Sequence, residues 1–245
     1  MEKSSYDVEA KVESFHWWFA ARRKLLKSIL SFINIPNNSV TLDIGCGVGS
    51  NLMVLGLVGL YKTVGLDLSF YALSLAKSRL NLPLINGDLN QLPARSNSFG
   101  LIIAMDILEH LEDDVNGIHE LYRVLKNEGI LILTVPAFGF LWGIQDVVTG
   151  HKRRYSKKEI LMKLGQGGFT ILRSSYFNFF LFFPILMARR MIHVIGLRIE
   201  SENEVNFPLI NFLFKTIFSL EVCLLKYLSF PFGVSILCIG KKREQ

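Results

Sequence analysis

The chain has 245 residues, half of them apolar, and 27 Lys and Arg against 21 Asp and Glu, for a net charge of +6. That length buries a sizeable core in one domain with an elaboration, and the charge excess is too modest to mark a nucleic-acid partner. Cys46, Cys223 and Cys238 are too scattered for a disulfide framework or a zinc cluster, so no metal is expected, and a reducing, cytoplasmic setting is.

The polar start, Met1 to Tyr6, lacks the apolar core of a signal peptide. Residues from Glu9 to Ile33 read as one helix, with Phe15, Trp17, Trp18 and Phe19 followed by the basic run Arg22-Arg23-Lys24. Trp17 and Trp18 read as core or lid packing. After the break at 36–39, strands and helices alternate: strand Val40–Ile44, helix Asn51–Leu57, strand Thr63–Leu66, helix Phe70–Leu80 capped by Ser69, strand Leu84–Ile85 and strand Leu101–Ala104. A helix over Asp113–Lys126 carries Val115, Ile118, Tyr122 and Leu125 on one face, and strand Ile130–Val135 stops at Pro136. Continuous apolar strands in this βαβ rhythm imply a parallel sheet with helices on both faces. Ser156 then opens another helix, and strands Thr170–Tyr176 and Val234–Ile239 bracket a long apolar segment, too long for a simple loop.

The richest signal is Val40–Leu52, an apolar strand running through Asp43 into Gly45, Gly47 and Gly49 and then a helix. Such a turn lets backbone pass close beneath a nucleotide-like ligand, with the helix N-terminus aimed at it. NAD, FAD and S-adenosylmethionine all use turns of this kind. The dinucleotide fingerprint is G-x-G-x-x-G, whereas the spacing here is G-x-G-x-G. An acid at Asp43, directly or through water, complements the ammonium of S-adenosylmethionine. Asp67, about 20 residues beyond the turn, can accept both ribose hydroxyls, and would suit NAD equally. Asp88, with Leu89, follows the third strand and can take an adenine amino group and ring. Met105-Asp106-Ile107-Leu108-Glu109-His110 follows the fourth strand, at the ligand-facing edge.

In this order the segments LDIGCGVGSNL, VGLDLS, NGDLNQLP, IIAMDILEHLED and RVLKNEGILILTVP resemble the class I S-adenosylmethionine-dependent methyltransferases, in particular the type 11 and quinone-type small-molecule branch. The resemblance covers roughly residues 39–175 and the last strand. It implies an α/β fold with a Rossmann-like, doubly wound, seven-stranded sheet, mostly parallel with an antiparallel last strand, plus an N-terminal helix and a C-terminal helical insertion. It also implies that Asp43, Gly45, Cys46, Gly47 and Gly49 hold the methionine moiety, Asp67 and Leu68 the ribose, and Asp88 and Leu89 the adenine. Met105, Asp106 and His110 would form the pocket floor. The sequence departs from the family pattern at Gly100, usually Asp, and at Glu128, often Gly. The domain division expected is a helical lid over 1–38, a cofactor-binding core over 39–177, an insertion over 178–231, and a last strand with basic tail over 232–245.

Methyl transfer is an in-line displacement that depends on positioning in a dry site, with a general base only for a hydroxyl or protonated amine acceptor. The loop after the fifth strand offers His151 as the first choice of base, with Tyr155 in the same loop, and His110, after the fourth strand, is the second choice. Trp142, Arg153 and Arg154 are candidates for holding the acceptor, and a surface basic patch is the plain alternative. Glu109 and Asp106 could merely cap a short helix.

Tyr176–Ala188 is almost wholly apolar but shorter than the ~20 residues that span a bilayer. In a helix over Phe207–Leu228, Asn211, Lys215, Ser219 and Lys226 share one stripe and the remaining surface is apolar except for Glu221. This pattern fits a helix lying at the inner face of a membrane, or a lid pair packed on the domain or on a second subunit in a homodimer. The sequence thus reads as a methyltransferase for a small or lipid-linked, hydrophobic or anionic acceptor. A non-catalytic protein of the same fold, used for assembly or membrane docking, and an NAD-dependent oxidoreductase are the alternatives.

Overall fold

A computed structural model describes residues 3–36, 38–195 and 207–243. The seven strands are β1 (Thr41–Ile44), β2 (Thr63–Asp67), β3 (Leu84–Asn86), β4 (Phe99–Met105), β5 (Leu125–Pro136), β6 (Phe169–Phe177) and β7 (Ser235–Lys242). They form one sheet in the order β3-β2-β1-β4-β5-β7-β6. The first five are parallel, and β7 enters antiparallel between β5 and β6. β1 and β4 are buried along their whole length, as strands covered on both faces are; β4 accordingly reads as an unbroken apolar run, while β1 buries Thr41 and Asp43 among its apolar residues. The chain turns from building outward through β2 and β3 to building the other way through β4. That switch point, at the carboxyl ends of β1 and β4, is where open α/β sheets bind ligands.

The helices are α1 (Lys3–Val12), α2 (Trp17–Leu30), α3 (Ser50–Leu57), α4 (Phe70–Arg79), α5 (Asp114–Val124), α6 (Ile144–Thr149), α7 (Lys157–Gln166), α8 (Phe182–Ile195) and α9 (Pro208–Leu224). Local chemistry sets their starts: the Ser69 hydroxyl accepts from Ala72 N, Asp113 from Asn116 N and Ser156 from Glu159 N. The single N-terminal helix expected over Glu9–Ile33 is instead two, broken at 13–16. There the Arg23 guanidinium donates to the Glu13 carbonyl, holding α1 over the cofactor turn rather than in line with α2. On α5 the inward face is Ile118, Leu121 and Val124, while Val115 is exposed.

The two departures from the family pattern have local causes. A Cβ on Gly100 would lie 2.1 Å from Ser39 Oγ, so this chain has no room for an Asp there. Glu128 sits at φ +63, a conformation glycine adopts more cheaply, and pairs with Lys241 on the neighbouring strand.

α8 and α9 form the expected insertion, and α9 packs along α2. Trp18 stacks on Phe177, Phe177 stacks on Phe218, and Trp17 meets Phe214 edge-on. Burying Phe218 completely contributes about 2–3 kcal/mol by itself. The polar stripe of α9 is divided: Lys215 is exposed, while Asn211 and Ser219 turn toward α2. Asn211 accepts from Trp17 N at 2.6 Å and donates to the Phe15 carbonyl, Lys24 reaches the Ser219 carbonyl, and Lys226 lies past the helix end. Glu221 is fully buried, its carboxylate accepting from Phe180 N. The outward residues are apolar: Leu209, Phe212, Leu213 and Leu220 on α9, with Phe183, Met187 and Met191 on α8.

Candidate cofactor and acceptor site

A cavity of about 780 Å³ opens at the carboxyl ends of β1, β2 and β4 and extends to α2, α8 and α9. At its cofactor end the turn after β1 places Gly45, Gly47 and Gly49 at φ +67, +51 and +94. A Cβ on Gly45 would lie 1.8 Å from Ile107 Cδ1, so the turn is closed to any side chain there. Asp67, at the end of β2, is buried. One of its oxygens accepts from Gly47 N and the other from Ser69 N, both at 2.8 Å. Each oxygen keeps a lone pair for a hydroxyl. Burial raises the Asp67 pKa, and those two backbone donors oppose the rise.

Cys46, Leu68, Asp88, Leu89, Met105 and Asp106 also line the cavity. Asp88 is exposed and its carboxylate accepts from Asn90 N, while Leu89 is buried beside it. Asp106 stands at φ +56, accepts from Thr134 Oγ1 and pairs with Arg22 at 3.0 Å. Asp43 and Gly49 are not in the walls. Gly49 backs against Leu80, and Asp43 lies fully buried beneath the turn, with one oxygen on Asn51 and the other unpartnered. Burial pushes Asp43 up to about 7, with Asn51 and Arg22 opposing and Asp67 adding to the rise. Glu9, from α1, reaches the cavity beside Gly47. Burial pushes it up to about 7 as well, opposed by Arg22 and reinforced by Glu13 and Asp67. Sequence reading missed Glu9 and Arg22 as site residues, because only tertiary packing brings α1 and α2 over the turn. These acids and the glycine cradle fit a cationic nucleoside cofactor.

At the other end stand His110, His151 and Arg154. His151 Nδ1 lies 2.7 Å from Asp146 Oδ1, and Asp146 also accepts from Arg154 and from Gly143 N. Burial alone would raise the Asp146 pKa, but the His151 and Arg154 contacts hold it at about 2, so it is a carboxylate. A carboxylate on Nδ1 fixes the tautomer and leaves Nε2 for the cavity. The His110 ring meets His151 edge-on at 4.8 Å, and burial and the His151 neighbour lower its pKa to about 4. Asp146 is a third residue whose role sequence reading missed. His16 and Asn178 line the same end, both buried, and neither side chain has a hydrogen-bond partner.

Three candidates are not brought to the cavity. Tyr155 is fully buried, and its hydroxyl donates to Asp114 at 2.8 Å. Arg153 is spent on Asp114 and on the Leu111 and Glu112 carbonyls. Trp142 projects from the loop after β5, half-exposed and outside the cavity walls. Arg154 does reach the cavity, but its guanidinium is committed to Asp146 and the Ala137 carbonyl. Tyr155→Phe is accordingly expected to cost about 1–2 kcal/mol. A thermal melt should show a drop of roughly 2–8 °C, and calorimetry should show unchanged cofactor affinity.

Comparison with known proteins agrees with this geometry. Residues 42–133 match the methyltransferase domain family. An uncharacterized protein of Methanocaldococcus jannaschii is 32% identical over 56% of this chain and 51% of its own length. A demethylmenaquinone methyltransferase of Oceanobacillus iheyensis is 31% identical over 62% of this chain and 63% of its own. The chain thus spans about half to three fifths of these relatives. An S-adenosylmethionine-dependent methyltransferase from Thermotoga maritima shares the fold, with a TM-score of 0.61 at 16% identity over 98% of this chain and 95% of that one. Residues 42–133 are therefore similar to the methyltransferase domain family, and the chain as a whole shares its fold with that methyltransferase structure.

Proposed function

We propose that the chain transfers a methyl group from S-adenosylmethionine to a small or lipid-linked acceptor with an apolar body and a polar head. The observation that carries this reading is a single cavity running from the glycine turn to an apolar wall built by α2, α8 and α9, with His151 among its lining residues. S-adenosylmethionine, when bound, supplies an electrophilic methyl on a sulfonium. The chain's own part is positioning. Gly45 and Gly47 admit the cofactor backbone to backbone, Asp67 and Asp88 hold its ribose and adenine, and Glu9 and Asp43 supply negative charge near its cationic end. Trp17, Ile185, Ile210 and Phe214 exclude water around the acceptor. Asp146 holds His151 so that Nε2 can take a proton from an acceptor hydroxyl. The unpartnered polar atoms of His16 and Asn178 suit the acceptor's head group. The relative named for demethylmenaquinone, an apolar prenylated molecule, supports an acceptor of this kind.

The outward faces of α8 and α9 support a second element of the reading, peripheral contact with an anionic bilayer. Their apolar residues are exposed, Arg190 and Lys215 stand exposed among them, and the same helices wall the cavity. Among the described residues no helix is long and apolar enough to cross a membrane. Two experiments test the reading. Labelled methyl from S-adenosylmethionine, incubated with the chain and a membrane extract, should appear in the organic-solvent phase; label confined to the aqueous phase would overturn a lipid-like acceptor. The chain should float with anionic liposomes, and Phe212→Ser with Leu213→Ser should abolish flotation. Failure of the native chain to float, with a dimer in solution, would assign that face to a second copy instead.

A further inference from the structure

Glu109, His110 and His151 each offer one ligand atom, and these atoms all lie within 4.8 Å of one another. Glu109 is fully buried, and neither of its carboxylate oxygens has a hydrogen-bond partner. A carboxylate in that condition is unfavourable unless a proton or a cation compensates it. His151 Nε2 faces it at 3.8 Å from Oε1, and Asp146 holds the opposite ring nitrogen at 2.7 Å. A carboxylate on one imidazole nitrogen, with the other nitrogen aimed at a ligand cluster, is the outer-shell arrangement that orients metal-binding histidines. All three residues line the cavity, so the remaining coordination positions would open onto the acceptor end.

We propose that Glu109, His110 and His151 bind a divalent first-row transition-metal ion of the Zn²⁺ or Co²⁺ type. Two imidazoles with one carboxylate favour such ions over Mg²⁺ or Ca²⁺, which prefer oxygen ligands throughout. Sequence reading expects no metal because it meets His151 only in a distant loop, which the fold then carries back beside Glu109 and His110. Binding of the ion stands on these residues alone. Its use, to polarise an acceptor oxygen in place of His151 acting as a base, since a metal-bound Nε2 cannot take a proton, rests on the methyltransferase reading.

The test uses the full chain without a histidine tag, stripped with a chelator and titrated with Co²⁺, followed by visible absorption and by calorimetry. One Co²⁺ per chain should bind with a new absorption band in the visible, and Zn²⁺ should displace it. Glu109→Gln and His151→Ala should each abolish the band, Asp146→Asn should weaken binding by about 10–100-fold, and exposed His119→Ala should leave it unchanged. No band, or a band that survives both Glu109→Gln and His151→Ala, overturns the site. S-adenosylmethionine titrated into the same samples checks that each variant is folded and separates the two readings. Cofactor binding without Co²⁺ binding sinks the metal site alone, and Co²⁺ binding without cofactor binding sinks the methyltransferase reading alone.

Discussion

Asp67→Ala is expected to raise the dissociation constant for S-adenosylmethionine by about 10²–10³-fold. The carboxylate is the one side chain that both shapes the glycine turn, through Gly47 N and Ser69 N, and retains acceptor capacity for two ribose hydroxyls. Hydrogen bonds to a charged group contribute about 1.5–3 kcal/mol each, so losing two costs ~3–6 kcal/mol, and the stated range in affinity is the lower part of that. Asp67→Asn keeps one acceptor and should lose only about 10-fold. A thermal melt accompanies the calorimetry, to show that the loss is one of binding and not of folding. Affinity within a few-fold of the native chain would mean that the ribose lies elsewhere.

His151→Ala is expected to lower methyl transfer by about 10²–10⁴-fold while leaving cofactor affinity within roughly twofold, the effect expected of a general base. The split follows from geometry. His151 enters from the loop after β5 and is held by Asp146, whereas the glycine turn follows β1 and Asp67 ends β2. Asp146 keeps its bonds to Arg154 and Gly143 N in the variant, so the loop retains its anchor. Asp146→Asn should give a smaller fall of the same kind, since His151 would remain with a weaker orienting partner. Unchanged turnover in His151→Ala would remove the residue from the chemistry, and a parallel loss of cofactor affinity would make its role structural.

How much of this was legible in the sequence varies with the range of the interactions involved. The strands around the switch point were legible, because a parallel strand covered on both faces is mostly apolar, as Leu101–Ala104 is throughout and Val40–Ile44 is apart from Thr41 and Asp43. Ser69 and Ser156 were legible as caps because capping is local. The break at 13–16 was not, since no glycine or proline marks it and Arg23 enforces it through space. The apolar stripe of α9 was legible, but its direction was not. Periodicity separates Phe212 and Leu213 from Asn211, yet it takes the bonds from Trp17 N to Asn211 and from Lys24 to Ser219 to show that these two polar positions face α2 while Lys215 does not.

The candidate site divides in the same way. Motif order drew attention to Gly45, Gly47 and Asp67, and the composition of the loop after β5 to His151, while Glu9, Arg22 and Asp146 make contacts that local pattern does not encode. Tyr155 and Arg153 looked functional because they adjoin His151. In the fold both turn away to Asp114, at the start of a helix some forty positions earlier.

Calorimetry with S-adenosylmethionine, S-adenosylhomocysteine and NAD, run from pH 6 to pH 8, tests the cofactor site most directly. Glu9 and Asp43 are both pushed up to about 7 without cofactor, so each contributes stability at low pH that is lost as pH rises through about 7. A cationic ligand draws them into the ionised form, so binding below pH 7 should release protons and affinity should rise with pH. The expected result is one S-adenosylmethionine and one S-adenosylhomocysteine per chain, tighter binding of the former at pH 8 than at pH 6, and no heat from NAD. NAD binding with comparable affinity, or S-adenosylmethionine binding that takes up protons, would contradict the assignment of this cavity.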